Sequence, residues 1–121
     1  MILHLSAPIP SKKNSRLVVV GRGMGRALNI PSEAYRRWHA QNLRAVLAQA
    51  AGEKVERCAL TLHVGFADRR RRDLDNALSS VLDLLVDAGV LPDDCWAVVP
   101  HIQLEAYESD EPEAVVSLLP I

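Results

Sequence analysis

Between Cys58 and Ala88 the hydrophobic period of this chain changes once, and that change restricts the fold more than any other feature. Leu60, Leu62, Val64 and Phe66 alternate with Ala59, Thr61, His63 and Gly65. A period of two predicts a half-buried strand over Cys58 to Phe66. After a polar stretch, Leu74, Leu78, Val81, Leu82 and Leu85 recur at helical spacing. Asp75, Asn76, Ser79, Ser80, Asp83 and Asp87 take the remaining positions, and Gly89 supplies a stop. This predicts an amphipathic helix from Asp75 to Ala88. A one-faced helix following a half-buried strand implies helices layered on a sheet.

The flanking segments extend the same pattern. Ile2 to Leu5 reads as a short strand, and Ser6 to Ser15 as a loop. Leu17 to Val20 and Ala27 to Ile30 surround Gly21-Arg22-Gly23-Met24-Gly25-Arg26 and predict a hairpin with a basic tip. These glycines form neither a dinucleotide fingerprint nor a phosphate loop, because no strand–turn–helix unit encloses them. Ser32 is a good N-cap and Gly52 a good stop for a first helix. Tyr35, Trp38, Val46 and Ala50, supported by Leu43 and Leu47, form its apolar stripe, with Arg37, Gln41 and Arg44 on another face. Trp96, Val98, Ile102, Leu104 and Ala106 predict a further strand. Pro100 marks it as an edge or bulged one. Ala114 to Leu119 predicts the last. The expected fold is therefore mixed α/β (α+β), a single layer of mixed β-sheet with two main helices in the order β-ββ-α-β-α-β-β.

At 121 residues, with 49% apolar side chains, the chain is long enough for one core, and residues 1–121 are expected to form a single domain. A domain this small gains from dimerisation. Cys58 and Cys95 form no CxxC pair, which argues against structural zinc and a disulfide framework. The N-terminus lacks a basic signal region, and no stretch approaches a membrane span. The expectation is a reduced, cytoplasmic protein without a membrane partner.

The net charge of −1 conceals a division. All 14 lysines and arginines lie in the first 72 positions with four acids, Glu33, Glu53, Glu56 and Asp68, a local balance of +10. The other 11 acids follow Arg72, unaccompanied by any lysine or arginine, a balance of −11. A basic half suggests a polyanionic partner; mutual neutralisation of the halves within the fold or across a dimer is the other reading.

The sign changes inside Arg69-Arg70-Arg71-Arg72-Asp73-Leu74-Asp75-Asn76. Side chains two apart on extended backbone point the same way. If Asp73 ends the strand and Asp75 caps the helix, both carboxylates can face one cation. The Pro92-Asp93-Asp94 turn, returning after the helix, can offer a third. Carboxylates crowded together repel unless a hard cation neutralises them, and Mg²⁺ suits a phosphodiester substrate. Arginines beside it would hold phosphates by charge-assisted contacts. The bland alternatives are a helix cap at Asp75, a favourable helix dipole contact at Asp73, turn residues at 93–94 and a solvated arginine run.

The stretch Asp68 to Asn76, with the Leu/Ala-rich helix, Asp87-Ala88-Gly89 and Asp93-Asp94, resembles the RusA family of Holliday junction resolvases. The opening is similar too: a short strand, Pro8-Ile9-Pro10-Ser11-Lys12-Lys13-Asn14, and a Ser-x-x-Tyr helix start at Ser32. The resemblance covers most of the chain and is specific from 68 to 94. It implies a homodimeric, Mg²⁺- or Mn²⁺-dependent endodeoxyribonuclease that resolves four-way junctions, a branched DNA, by paired nicks in recombination and repair. It places the catalytic, metal-binding carboxylates on Asp73, Asp75 and Asp94. The candidate DNA contacts are Lys12, Lys13, Arg37, Arg44, Arg69, Arg70, Arg71 and Arg72. One departure stands out: the resemblance expects a functional lysine where this chain has Ser79. Lys12, Lys13 or Arg72 would have to replace it. Otherwise the protein is a weakened enzyme or a junction-binding module on the same fold.

Overall fold

The computed structural model describes residues 1–12, 16–20 and 27–121, and for 16–20 and 27–31 the backbone alone. The element order is β1 (Ile2–Leu5), β2 (Arg16–Val20), β3 (Ala27–Pro31), α1 (Glu33–Ala50), β4 (Cys58–Phe66), α2 (Leu74–Asp87), β5 (His101–Glu108) and β6 (Glu113–Pro120). This is the order expected from the sequence. Strands β2 and β3 pair antiparallel, as a hairpin requires; its expected turn, Gly21 to Arg26, lies outside the described residues.

The main sheet runs β1-β6-β4-β5. Strand β6 lies antiparallel to β1 and β4, while β4 and β5 are parallel. Parallel neighbours need a crossover, and α2 supplies it. One sheet face carries Leu3, Leu5, Leu60, Leu62, Val64, Ala114, Val116 and Leu118, all buried. The helices cover it with Tyr35, Trp38, Val46, Ala50, Val81, Leu84 and Leu85. The strand alternation in the sequence thus maps onto one covered face.

Local signals set most boundaries. The Ser32 hydroxyl accepts from Tyr35 N at 3.3 Å, capping α1. At the other end Ala51 (φ 51°) and Gly52 (φ 84°) both take left-handed dihedrals and stop the helix. Gly89 (φ 73°) does the same after α2.

Three details differ from the sequence reading. Leu47 is half exposed, and the buried face of α1 instead includes the polar Asn42, fully buried between Trp38 and Val46 in the stripe. The strand expected from Trp96 starts only at His101, because residues 95–98 form a turn closed by Val98 N and Val99 N on Cys95 O. Helix α2 begins at Leu74, so Asp73 is the N-cap and Asp75 lies inside the first turn. Of the two leucines in its first turns, both half-buried, Leu78 packs against the core.

Asn42 shows how the fold places the loop after β1. Its Oδ1 accepts from Ser6 N at 2.8 Å, and its Nδ2 donates to Trp38 O at 2.8 Å. The Trp38 indole Nε1 donates to Ser6 O at 2.8 Å. Both backbone polar groups of Ser6 are thereby satisfied by α1, at little cost for burying an amide. Further along, Ser80 Oγ donates to Pro10 O at 2.8 Å. Residues 6–12 are therefore held between the two helices.

Candidate active site

The carboxyl end of β4 and the start of α2 carry the site. Asp73 takes extended dihedrals (φ −90°, ψ 116°) and its side chain makes no capping hydrogen bond. Its nearest charged neighbour is Arg71 Nη2 at 4.0 Å. Asp75, exposed on the first turn, makes no hydrogen bond or ion pair among the described residues. Neither carboxylate accepts a hydrogen bond among the described residues, so both keep oxygen lone pairs for a hard cation such as Mg²⁺ or Mn²⁺.

The four arginines do not act alike. Arg72 is clasped by Asp68, Nη1 to Oδ1 at 2.7 Å and Nη2 to Oδ2 at 3.1 Å, and its guanidinium carbon lies 4.8 Å from the Phe66 ring centre. That clasp, with a hydrogen bond from Arg70 N, holds the Asp68 carboxyl well below the usual carboxylate range. Arg69 pairs with Glu108 on β5. Arg70 reaches Asp68 at 3.7 Å, and Arg71 points into solvent. The reading in which the charge halves neutralise each other is thus realised in part, at Arg69–Glu108, Arg71–Asp73 and Lys12–Asp83.

Lys12 lies where the sequence could not place it. Its Nζ sits 3.3 Å from Asp83 Oδ2, both side chains about one-third exposed. Asp75, Ser79 and Asp83 are spaced four apart and share one face of α2. The Lys12 ammonium is therefore one turn from the position where the resemblance expects a lysine. Lys13 lies outside the described residues. Arg37, paired with Glu33 at 2.7 Å, and Arg44 are both exposed on α1 and do not line the site.

Between these elements is a cavity of about 320 Å³. Ile9, Val64, Phe66 and Ala77 supply apolar walls, and Ser11, Arg71, Arg72, Asp73 and Asn76 the polar ones. The strand pattern pointed to Phe66 and the basic run to Arg72. The burial of Asn76 and Ser80 had no signal beyond their spacing with Leu84.

Asp94 is placed elsewhere. Helix α2 is about 20 Å long at roughly 1.5 Å per residue, and Asp94 follows its far end. There Leu91 N bonds Leu85 O, Val55 N bonds Val90 O and Cys58 N bonds Val98 O. These contacts lie at the start of β4, whereas Asp73 follows its finish. Within one chain Asp94 is not brought to Asp73 and Asp75. Among the described residues no group of three or more His, Cys, Asp or Glu side chains is arranged to hold a metal ion. At the turn itself, Asp93 Oδ1 accepts from Asp94 N at 2.8 Å, while the Asp94 carboxylate has no partner among the described residues.

The β4–α2 corner of this mixed sheet thus presents two aspartates without hydrogen-bond partners among the described residues, beside a basic run. The family model of the endodeoxyribonuclease RusA matches residues 8–118, so the chain belongs to the RusA family of endodeoxyribonucleases. That family points to nuclease action on DNA junctions in recombination. No curated protein matches the chain. Among the described residues no helix is long and apolar enough to cross a membrane.

Proposed function

We propose that this protein resolves four-way DNA junctions by paired, Mg²⁺-dependent nicks, acting as a homodimer whose two sites are each shared between protomers. The observation that carries the reading is the pair Asp73 and Asp75, held at the β4–α2 corner with neither carboxylate hydrogen-bonded among the described residues. A bound Mg²⁺ or Mn²⁺ would supply charge neutralisation at the phosphate and a more acidic water. Asp73 and Asp75 would hold it. Arg69 to Arg72 position the flanking phosphates, with Arg72 pre-set by Asp68 and Phe66.

Asp94 enters from the second protomer. The crossover geometry sends it to the wrong end of its own α2, yet its carboxylate is exposed and unpaired while Asp93 serves the turn. Two residues on, Trp96 is 83% exposed, and Ile102 on the edge strand β5 is 44% exposed. A large exposed indole suits a partner surface. Seating a second copy there brings Asp94 of each protomer towards the other's Asp73 and Asp75. A two-fold dimer also provides the two equivalent sites that paired nicks require.

Lys12 supports turnover despite Ser79, because its ammonium already lies one turn away on the same helix face. The alternative, a weakened enzyme or binding module, is separated by Ser79→Lys: a large gain in nicking favours the damaged enzyme, and no gain favours Lys12. The test of the main reading is nicking of synthetic four-way junctions with Mg²⁺. Asp75→Asn abolishes it and excess chelator stops it. Full activity in either case refutes the proposal.

A further inference from the structure

The cavity beside Asp73 has features that phosphate binding alone does not explain. Asn76, on the first turn of α2, is only 8% accessible. Its side-chain amide lines the cavity and makes no hydrogen bond among the described residues. Among the described residues no buried side-chain nitrogen or oxygen is left unpaired, so the open positions of this amide face the cavity, where a ligand group can take them up. The adjoining walls, Ile9, Val64, Phe66 and Ala77, are apolar. Such walls disfavour a phosphate or a hydrated ion and favour a flat, weakly polar body.

The wall shared by Phe66 and Arg72 sharpens the choice. The guanidinium is fixed by two hydrogen bonds to Asp68 and stacked over the Phe66 ring. Aromatic rings and arginine planes are the surfaces on which unstacked nucleobases settle. An asparagine amide offers a donor and an acceptor side by side, matching a base edge that presents the complementary pair. At about 320 Å³ the cavity lies at the small end of ligand pockets, a scale suited to one base rather than a base pair.

We propose that this cavity receives a single unstacked nucleobase from the nucleotide beside the cleaved bond, and that Asn76 reads its edge. This rests on the junction-cutting reading above and adds a source of sequence preference to it. The branch point is the natural donor, because bases there are held least by stacking, so extrusion is least costly. Arg71 and Arg72 at the rim take the attached phosphate, and Asp73 stands beside it.

The test uses the full chain and a set of four-way junctions. They differ only in the nucleotide next to the branch: each of the four bases, or an abasic site. Binding without divalent metal and nicking with Mg²⁺ are both measured. The wild type should separate the best base from the worst by roughly tenfold or more in at least one measurement, with the abasic junction among the worst. Asn76→Ala should compress that spread to within about twofold while affinity for the abasic junction is unchanged. Ala77→Leu, which fills the cavity and leaves Asn76 in place, should compress it too. A wild-type spread within about twofold overturns the inference, as does a full spread retained in both variants. Failure of the wild type to bind any junction at low salt instead sinks the junction reading, and the inference with it. Binding and nicking without base dependence sinks the inference alone.

Discussion

Mixing two inactive variants tests the shared site directly. Take Asp75→Asn and Asp94→Asn, each purified alone and each expected to leave junctions uncut. Helix α2 separates residues 75 and 94 by about 20 Å, so no side chain spans the gap within one protomer. When equal amounts exchange subunits, about half the dimers are mixed, as random pairing of two equal populations requires. In a mixed dimer one site takes both substitutions. The other combines Asp73 and Asp75 of one protomer with Asp94 of its partner, all intact. About one quarter of all sites should therefore work, giving about a quarter of wild-type single-strand nicking. Paired resolution should stay far lower, because no mixed dimer has two working sites. The assay is nicking of an end-labelled four-way junction after co-incubation, with the separate variants as controls. If each site were built within one protomer, mixing would restore nothing, since every protomer carries one damaged residue. An unchanged baseline after verified subunit exchange refutes the reasoning.

Asn42→Ala removes hydrogen bonds to Ser6 N and Trp38 O and leaves the Ser6 N–H unsatisfied, a loss of about 2–4 kcal/mol. Thermal unfolding by circular dichroism should show a drop on the order of 10 °C; an unchanged midpoint would contradict the role given to this residue. Gly65→Val places a Cβ 2.6 Å from Ser109 Oγ and 2.9 Å from Tyr107 Cε2. Overpacking of this kind costs about 1–3 kcal/mol, readable in urea unfolding, and wild-type stability would show that the β4–β5 corner yields freely. The Tyr107 hydroxyl donates to Glu113 Oε2 at 2.8 Å, and that bond raises its pKa above the ordinary phenol value of 10.0. A raised folded pKa contributes stability below the unfolded pKa and loses it as pH rises through the folded one. In an ultraviolet titration, Glu113→Gln should move the Tyr107 transition towards lower pH, and no movement would exclude Glu113 as the cause.

Much of the molecule is legible in its residue order because the relevant physics is local. The alternation over Cys58–Phe66, the Ser32 cap and the left-handed stop at Gly52 depend only on neighbours a few positions away. The same holds for the Asp73-Leu74-Asp75-Asn76 corner, where strand period gives way to helix period. The division of charge at Arg72 is fixed by residue order alone. Contacts across long stretches of chain were not available in that way. A buried asparagine at position 42 breaks an apolar stripe, and the approach of Ser6 from the loop after β1 makes it favourable. Nothing near Lys12 in sequence announces its partner Asp83, and nothing near Asn76 announces a cavity with Phe66 and Arg72.

The placement of Asp94 is the clearest case. By itself the sequence determines that a turn with two aspartates follows α2. It leaves open whether the next strand runs parallel or antiparallel to β4. Only the tertiary structure decides this: β5 is parallel to β4, so α2 must return the chain to the start of the sheet. That direction carries Asp94 away from Asp73 and Asp75, because a helix is rigid and its length is fixed by its residue count.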